Sequence, residues 1–350
     1  MPLPQTKYHN VENWASEDFN SGGTREKQIL ISPDDIRYYF KKSLRKKEKY
    51  YKYEFWSEVI ASQIERFFGF NVITYDVAYM GNEIGCISQT IIDKAVSELN
   101  SGYNYLLEIF PELAETNPDY KKHHTFQNII KVLKHNKLER FNESVIEMII
   151  FDAIIGNNDR HSENWTIIIS DKQLNTEIVT IKQNFALLSQ KFHKENSFYE
   201  KHGSALNELE KEILEEEEKI KENNFIFSPL YDNGSSLGRE LEDGKINKYL
   251  ENNELQKYLK GGKSDIRYND KKLNFFELIE SIKADYKEYV DNAINRIKER
   301  YNEELIIEIV NNVDNELPEK FNEYKLPNNR KEFIIKCLNA RIDKIIKIGN

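Results

Sequence analysis

Hydrophobic and polar residues alternate with strand spacing near the start of the chain. Residues 28–32 and 36–42 each show this alternation, and the turn sequence PDD at 33–35 separates them. Two alternating runs joined by a short polar turn predict a β-hairpin. Residues 1–20 show no regular spacing, so we expect a loose structure there.

The next run has helical spacing. Apolar side chains recur every three or four positions over residues 53–68, and Gly69 follows where a helix commonly ends. Strand-like runs at 71–80 and 84–91 flank the turn dipeptide Gly81-Asn82. The first 95 residues therefore predict the order strand, strand, helix, strand, strand.

From about residue 95 the apolar spacing becomes mostly helical. Residues 95–108, 124–134 and 142–155 fit this pattern. The third segment is apolar on nearly every side, which predicts a helix buried in the core. The run TIIIS at 166–170 predicts a strand, and NFIFSPLYD at 224–232 predicts its partner.

Composition and charge narrow the class of protein. The 350 residues carry a net charge of −9, which does not suit a surface built for nucleic acid. No apolar run reaches the ~18 residues of a membrane span, and the first residues show no apolar segment typical of a signal peptide. The cysteines, Cys86 and Cys337, have no metal-binding spacing, so we expect a reducing, cytosolic location.

A dense polar cluster follows the buried helix predicted at 142–155. The sequence GNNDRHSENW at 156–165 places Asp159 and Asn164 five positions apart. That spacing is typical of kinase catalytic loops, in which the carboxylate accepts a proton and the amide holds Mg²⁺. The alternative is a polar turn that only caps the helix.

The other parts of a phosphoryl-transfer site occur in matching order. Gly22-Gly23 opens the first hairpin, Lys41 or its neighbour Lys42 lies on its second strand, Glu58 lies on the following helix, and Asp232 begins Asp-Asn-Gly. The glycine pair, the lysine and the glutamate are each weak alone, because most glycine pairs are plain turns and most helical glutamates are solvated. Asp-Asn-Gly is a moderate signal, and its alternative is a β-turn. Their order along the chain carries the inference, although strand alternation does not decide between the two lysines.

Three features near these residues have more than one interpretation. His161 has no second His or Cys close in sequence, so a structural role within the loop is favoured over metal binding. Arg160 has either an acidic partner or a phosphate. The basic, tyrosine-rich run at 41–52 suits a solvated loop better than a nucleic-acid surface.

Together these segments resemble a known family. The sequences GGTREK, RYYFKKS, FWSEVIASQIERFFGFNV, FDAIIGNNDRHSENW, SPLYDNGSSLGRE and GGKSDIRYNDKKLNFFELIE are similar to motifs of the HipA-like bacterial serine/threonine kinases, over about residues 20–285. The resemblance implies these roles: Asp159 as catalytic base, Asn164 and Asp232 as Mg²⁺ ligands, Lys41 and Glu58 at the ATP phosphates, Gly22 and Gly23 in the phosphate loop, Gln89 and Ile91 at the adenine, and Ser21 as a possible autophosphorylation site.

The resemblance also implies an architecture. We expect an α+β, two-lobed, protein-kinase-like fold, with a β-rich N-lobe at 1–94, a helical C-lobe at 95–350, and ATP and Mg²⁺ between them. A polar insertion at about 171–222, whose second half predicts an exposed charged helix, separates Asn164 from Asp232 in sequence. We therefore expect the insertion to emerge near the mouth of the site.

Substrate and partners are implied only by class. We expect the short form of the family, without the extra N-terminal subdomain of long HipA proteins, which is similar to toxin kinases with separate partners and to translocated effector kinases. The implied substrate is a Ser or Thr hydroxyl on a protein, either a translation component or a host protein. An antitoxin or other regulatory partner is implied as well, and the location is the bacterial cytoplasm or a host cell.

Two other functions fit part of the pattern. Phosphoinositide kinases share the DRHxxN loop, but the mixed charges of NGSSLGRELEDGK after Asp232 suit an anionic headgroup poorly. A non-catalytic ATP-binding scaffold would be expected to lack Asp159, Asn164 or Asp232, and the chain has all three.

Overall fold

Among the residues that the structure describes, the strands fall into three sheets. The computed structural model describes residues 5–17, 27–46, 49–114, 120–193, 196–251 and 254–349. In chain order the strands are β1 (Tyr8–Asn10), β2 (Ala15–Glu17), β3 (Lys27–Ile31), β4 (Arg37–Lys42), β5 (Arg45–Lys46), β6 (Lys49–Tyr50), β7 (Asp76–Met80), β8 (Glu83–Gln89), β9 (Glu98–Ser101), β10 (Thr166–Ile169) and β11 (Phe225–Phe227).

Six strands form the largest sheet, in the order β1-β7-β8-β4-β3-β2. The predicted hairpins are confirmed, because β3 pairs antiparallel with β4 and β7 pairs antiparallel with β8. Gly81 adopts a φ of +58° in the turn between β7 and β8, a conformation that glycine reaches without strain. β4 also pairs with β8, so Lys41 lies opposite Cys86 in the middle of the sheet.

The expectation that residues 1–20 are loosely structured is wrong for their described part. β1 pairs in parallel with β7, and β2 pairs antiparallel with β3. The Tyr8 hydroxyl also donates to the carbonyl of Val313, near the other end of the chain. Strands of three residues are too short to show an alternation, so long-range pairing decides their structure. The predicted phosphate loop, with Ser21, Gly22 and Gly23, lies outside the described residues.

The first helix, α1 (Glu54–Phe68), is buried along almost its whole length between the large sheet and the C-terminal helices. Gly69 ends it as predicted, with a left-handed φ of +77° and its N–H bonded to Glu65 O. Since α1 is buried on nearly every side, its polar residues lie in the core as well, among them Glu54, Glu58 and Glu65.

The rest of the chain is mostly helical, as the sequence predicts. The remaining α-helices are α2 (Gly102–Ile109), α3 (Phe126–His135), α4 (Asn142–Ile155), α5 (Lys172–His193), α6 (Asn196–Asn224), α7 (Asp243–Glu251), α8 (Leu255–Gly261), α9 (Phe275–Asp285), α10 (Lys287–Arg300), α11 (Glu303–Asn312) and α12 (Asn328–Gly349).

One helical prediction is wrong at its start. Residues 98–101 of the segment predicted at 95–108 form β9, and only the part from Gly102 onward is helical. β9 pairs with β10, which also pairs with β11 as the sequence predicts. Pairing with β10, about 65 residues later in the chain, therefore outweighs the local helical spacing of these four residues.

The polar insertion forms a helical hairpin, α5 and α6, and the charged helix predicted for its second half lies within α6. It leaves the sheet at the end where Ile169 pairs with Phe225, whereas the opposite end, where Ile167 pairs with Phe227, leads to Asn164 and Asp232. At strand spacing the two ends lie roughly 7 Å apart. The expectation that the insertion emerges near the mouth of the site stays a prediction.

One large core joins α1 to α4 and to the helices α9, α10, α11 and α12. The division into lobes at residues 94 and 95 stays a prediction. Within the described residues, every helix is either too short or too polar to cross a lipid bilayer.

Glu65 provides a test of the packing of α1. Its side chain is fully buried, and within the described residues neither carboxylate oxygen has a hydrogen-bond partner. Burial, partly offset by Arg160, holds the pKa of Glu65 well above its usual value. The folded state thus binds a proton that the unfolded state releases above about pH 4.5, and stability falls as the pH rises from there toward the raised pKa.

We predict that Glu65→Gln gains stability relative to the wild type as the pH rises from 5 to 8, by up to about 1.4 kcal/mol per pH unit within that window. Urea unfolding at several pH values measures the difference. Glu143→Gln, at an exposed position of α4, controls for the lost net charge. If the difference in unfolding free energy between Glu65→Gln and the wild type does not change with pH, the prediction is contradicted.

Candidate active site

The polar loop begins where α4 ends. Gly156 takes a φ of +71° and its N–H bonds to Asp152 O, which stops the helix and turns the chain. A Cβ at this position would lie 2.7 Å from the Arg341 guanidinium, so the close packing also requires glycine. The buried, apolar α4 thereby fixes the starting point of residues 157–165.

Arg160 is fully buried and holds this loop together. It pairs with Asp152 at 2.8 Å, and its Nη1 donates to the carbonyl oxygens of Asn164 at 2.9 Å and Tyr231 at 2.6 Å. Its Nη2 also donates to Asn233 Oδ1 at 2.7 Å. Although burial lowers the pKa of Arg160, the charge and hydrogen bonds of Asp152 raise it above its usual value, so the guanidinium stays charged.

The sequence left the partner of Arg160 open, and Asp152 is a residue that the sequence reasoning missed. Its signal is a single carboxylate within the apolar run MIIFDAII at 148–155, eight positions before an arginine. Buried carboxylates in such a run are almost always paired. Asn157 adds to the pair by donating to Asp152 Oδ1 at 3.1 Å.

Asp159 and Asn164 lie together within the loop. The Asn164 amide nitrogen donates to Asp159 O at 2.7 Å, and the Asp159 N–H donates to Asn157 Oδ1 at 3.2 Å. The Asp159 carboxylate accepts a hydrogen bond from the Ser235 hydroxyl at 3.1 Å. Arg239 in turn donates to Ser235 Oγ at 2.7 Å. Ser235 and Arg239 carry no sequence signal of their own, since they reach Asp159 only through the fold.

Lys41, rather than Lys42, faces the interior. Its Nζ contacts both Glu58 Oε1 and Asp232 Oδ1, and the residue is buried. Lys42 points to the other face of β4 and pairs with Glu83 at 2.8 Å, where both side chains are partly exposed. The two lysines are therefore distinguished by which face of the sheet each one occupies.

The Asp-Asn-Gly segment packs directly against α1. Asp232 has a left-handed φ of +57°, and the Asn233 N–H donates to Glu58 Oε2 at 2.7 Å. A Cβ on Gly234 would lie 3.0 Å from carboxylate oxygens of both Glu54 and Glu58, which explains the glycine. Glu58 thus joins Lys41 to the segment that carries Asp232.

The remaining predicted residues lie around this cluster. His161 caps the short 3-10 turn at Ser162–Asn164, where its Nδ1 accepts from the Glu163 N–H at 3.3 Å. Gln89 ends β8 with an exposed side chain opposite Tyr38, and Ile91 is half-buried in the bend that follows. Their roles stay predictions.

The basic run at 41–52 stacks on its own tyrosines. Arg45 lies 4.4 Å from the centre of the Tyr50 ring, and Lys49 lies 4.9 Å from that of Tyr51. These cation–π contacts engage Arg45 and Lys49 within the protein. The interpretation of the run as a solvated loop stays a prediction.

Comparison with solved structures identifies the fold. The chain superposes on the crystal structure of the Helicobacter pylori proinflammatory kinase CtkA with a TM-score of 0.66 at 18% identity, covering 99% of this chain and 97% of that one. It also superposes on HipA from the Shewanella oneidensis MR-1 toxin–antitoxin complex of HipA, HipB and operator DNA, with a TM-score of 0.51 at 11% identity, covering 94% of this chain and 65% of that one. No protein-family model and no curated protein sequence matches the chain.

The protein therefore has the α+β fold of the HipA-like kinases, as its sequence predicts. The chain spans less than two thirds of the Shewanella HipA chain and nearly all of the CtkA chain. At these identities the similarity shows the fold, and the chemistry has to be argued from the residues.

Loss of the Arg160–Asp152 ion pair should destabilise the folded protein. We predict that Arg160→Leu lowers the free energy of unfolding by about 3–5 kcal/mol, because Asp152 is left buried without its partner. Arg160→Lys should recover only part of this loss, since a single ammonium cannot replace the planar guanidinium that reaches all four acceptor residues. Urea denaturation measures both variants.

Arg37→Ala is the matched control for this prediction. Arg37 forms an exposed ion pair with Glu17, so its removal should change stability little. An Arg160→Leu variant as stable as Arg37→Ala would contradict the structural role of Arg160.

Proposed function

We propose that this protein is a serine/threonine kinase that transfers the γ-phosphate of ATP to a hydroxyl group of a protein. The observation that carries the proposal is the assembly of Lys41, Glu58 and Asp232, from three distant parts of the chain, in one buried cluster. Burying a lysine and two carboxylates together carries a desolvation cost, and buried charge clusters of this kind are concentrated at functional sites. Phosphoryl transfer requires such a cation at the nucleotide phosphates.

The residues present fit a bound magnesium ion. Asn164 and Asp232 supply amide and carboxylate oxygens, the hard donors that Mg²⁺ prefers. Arg160 binds the backbone carbonyls of Asn164 and of Tyr231, so it brings both candidate ligands to the same place. The hydrogen bond from Asn164 to Asp159 uses the amide nitrogen, which leaves the oxygen as the metal ligand.

Across the described residues, no three His, Cys, Asp or Glu side chains form a metal-binding group. A magnesium ion here would therefore take Asn164 and Asp232 together with oxygens of the nucleotide phosphates and water, which is how Mg²⁺ commonly binds in kinases. When bound, it would offset the negative charge of those phosphates.

Asp159 is the group that accepts the proton in this proposal. The acceptor hydroxyl gives its proton to the Asp159 carboxylate while its oxygen forms a bond to the γ-phosphorus, and the bond from that phosphorus to the bridging oxygen breaks to release ADP. Ser235 holds the Asp159 carboxylate in place through its hydroxyl. Lys41 faces the phosphates with Glu58 behind it.

The class of substrate and partner is proposed by similarity. CtkA is described as a proinflammatory kinase, and HipA was solved with HipB and operator DNA. For this chain we propose a protein acceptor, either a translation component or a host protein, and a regulatory protein partner. We propose action in the bacterial cytoplasm or, after translocation, in a host cell.

The two adjacent lysines give a matched test of the site. Lys41→Met should reduce phosphoryl transfer by about 100-fold or more, because it removes the cation at the phosphates. Lys42→Met, on the outer face of β4, should retain near wild-type transfer. Transfer from γ-labelled ATP with Mg²⁺ is measured on protein shown to be folded by circular dichroism. Equal effects of the two substitutions would contradict the assignment of Lys41.

Asp159→Asn tests the reaction itself. We expect the variant to bind ATP with unchanged affinity and to lose transfer by about 10²–10⁴-fold. Intact mass and phosphosite mapping on wild type and variant measure the result, with autophosphorylation and a generic protein acceptor as readouts. Turnover of a phosphoinositide in place of protein would replace the protein-kinase proposal with the lipid-kinase alternative. ATP binding without turnover of either acceptor would indicate a non-catalytic scaffold.

Ser235 allows the role of its hydrogen bond to be separated from the binding of ATP. We predict that Ser235→Ala lowers turnover about tenfold, since it removes a hydrogen bond to a charged group, and leaves ATP affinity unchanged. Ser235→Thr keeps the hydroxyl and should restore most of the turnover. Steady-state kinetics and nucleotide titration measure the two effects, and an equal loss in both variants would show that Ser235 only packs.

A further inference from the structure

Arg239 lies one hydroxyl group away from the proposed base. Its Nη2 donates to Ser235 Oγ at 2.7 Å, and the Ser235 hydroxyl donates to Asp159 Oδ2 at 3.1 Å. The side chain of Arg239 is only 13% exposed, and Ser235 is buried. Most of the solvent is therefore kept away from this chain of two hydrogen bonds, and hydrogen bonds are electrostatically stronger in such surroundings than in water.

The chemistry of the three groups fixes the direction of both bonds. A guanidinium has donors and no acceptor, so Arg239 occupies a lone pair of Ser235 Oγ and leaves the hydroxyl proton for Asp159. Donation from a cation also polarises the hydroxyl, which strengthens the bond that the hydroxyl gives. Within the described residues, Oδ1 of Asp159 accepts no hydrogen bond. The arrangement thus holds Oδ2 and leaves Oδ1 to meet an acceptor hydroxyl.

Contacts from α1 and from the residues just before it hold Arg239 in this orientation. Its guanidinium carbon lies 4.3 Å from the centre of the Tyr51 ring, and its Nη1 lies 3.5 Å from Glu54 Oε1. The other oxygen of Glu54 accepts from the Leu44 N–H at 2.7 Å, which fixes that carboxylate in turn. A side chain held on several sides is already ordered for its task before a substrate arrives.

Arg330 provides a comparison within the same cleft. It lines the same opening of about 400 Å³ as Arg239. It too lies over a tyrosine, 4.6 Å from the centre of the Tyr53 ring, and it pairs with Asp243 at 2.6 Å. Its contacts tie down the same stretch of chain without including Ser235. The two arginines therefore separate the packing of this stretch from contact with the base.

We propose that Arg239 is a positioning residue, which orients Asp159 for phosphoryl transfer by acting through the Ser235 hydroxyl. The effect on transfer rests on the proposed function, whereas the energetic coupling of Arg239 to Asp159 does not. Because α1 and Tyr51 hold Arg239, a displacement of α1 would reach the base through this one side chain.

Double-mutant cycles in urea unfolding test the coupling without any activity. We expect Arg239→Gln and Asp159→Asn to be coupled by about fivefold in the unfolding equilibrium constant, because each removes one end of the same chain of bonds. The coupling should fall below about twofold when every variant also carries Ser235→Ala. Arg330→Gln is the matched control and should act independently of Asp159→Asn. Independent effects of Arg239→Gln and Asp159→Asn, or a coupling that Ser235→Ala leaves unchanged, would overturn the proposal.

Steady-state kinetics measure the effect on transfer. Arg239→Gln should lower kcat about fivefold and leave the KM for ATP unchanged, because it disturbs the base and not the nucleotide site. In protein that already carries Ser235→Ala, the same substitution should cost nothing further. Arg239→Lys keeps a cationic donor and should recover part of the turnover. Arg330→Gln should change kcat by the same factor with or without Ser235→Ala.

The outcomes separate this proposal from the proposed function. An equal loss of kcat from Arg239→Gln in both backgrounds would show that Arg239 only packs, and would overturn its positioning role. A wild type that transfers phosphate to no acceptor would contradict the proposed kinase activity. In that case the unfolding cycles still decide whether Arg239 is coupled to Asp159 through Ser235.

Discussion

The ion pair of Arg160 with Asp152 is the interaction on which the arrangement of the site depends. A guanidinium sealed in the core must satisfy its donors there, because an unpaired buried charge costs several kcal/mol. Arg160 does so by binding the last turns of α4, the end of the loop at Asn164 and the residue before Asp232. One residue thereby fixes the relative positions of two segments that are about 70 residues apart in sequence.

Helix α1 connects this assembly to the large sheet. Glu58 contacts Lys41 of β4 and accepts from the Asn233 backbone, while Glu54 accepts from the Leu44 backbone at 2.7 Å and lies 3.5 Å from Arg239. Loss of these partners would leave a buried carboxylate without hydrogen bonds, which strongly destabilises the folded state. A shift of α1 would therefore disturb the lysine, the Asp232 segment and the Ser235–Asp159 contact together.

Much of the fold and the likeness to the kinase family were predictable from sequence, because long periodic segments and ordered motifs carry strong local signals. α1, α4 and the two N-terminal hairpins follow from apolar spacing and turn residues. The details that failed depend on pairing between distant residues. β1 and β9 are too short to show a pattern, and the choice of Lys41 over Lys42 depends on which face of β4 meets α1. The contact of Ser235 with Asp159 exists only once the segment after Asp232 has packed against α1, so no local spacing reveals it.

The hydrogen bond from Tyr8 to Val313 has a consequence for the order in which the protein forms during synthesis. The strand β1 lies at the edge of the N-terminal sheet, yet it is secured by a residue that leaves the ribosome about 300 residues later. At about 5–20 residues per second, this delay lasts roughly 15–60 seconds. Contacts across such separations form slowly in any case. Asp232 is also synthesised long after Lys41, because the insertion lies between them. The nascent chain therefore cannot complete the lysine cluster until translation is well past the insertion.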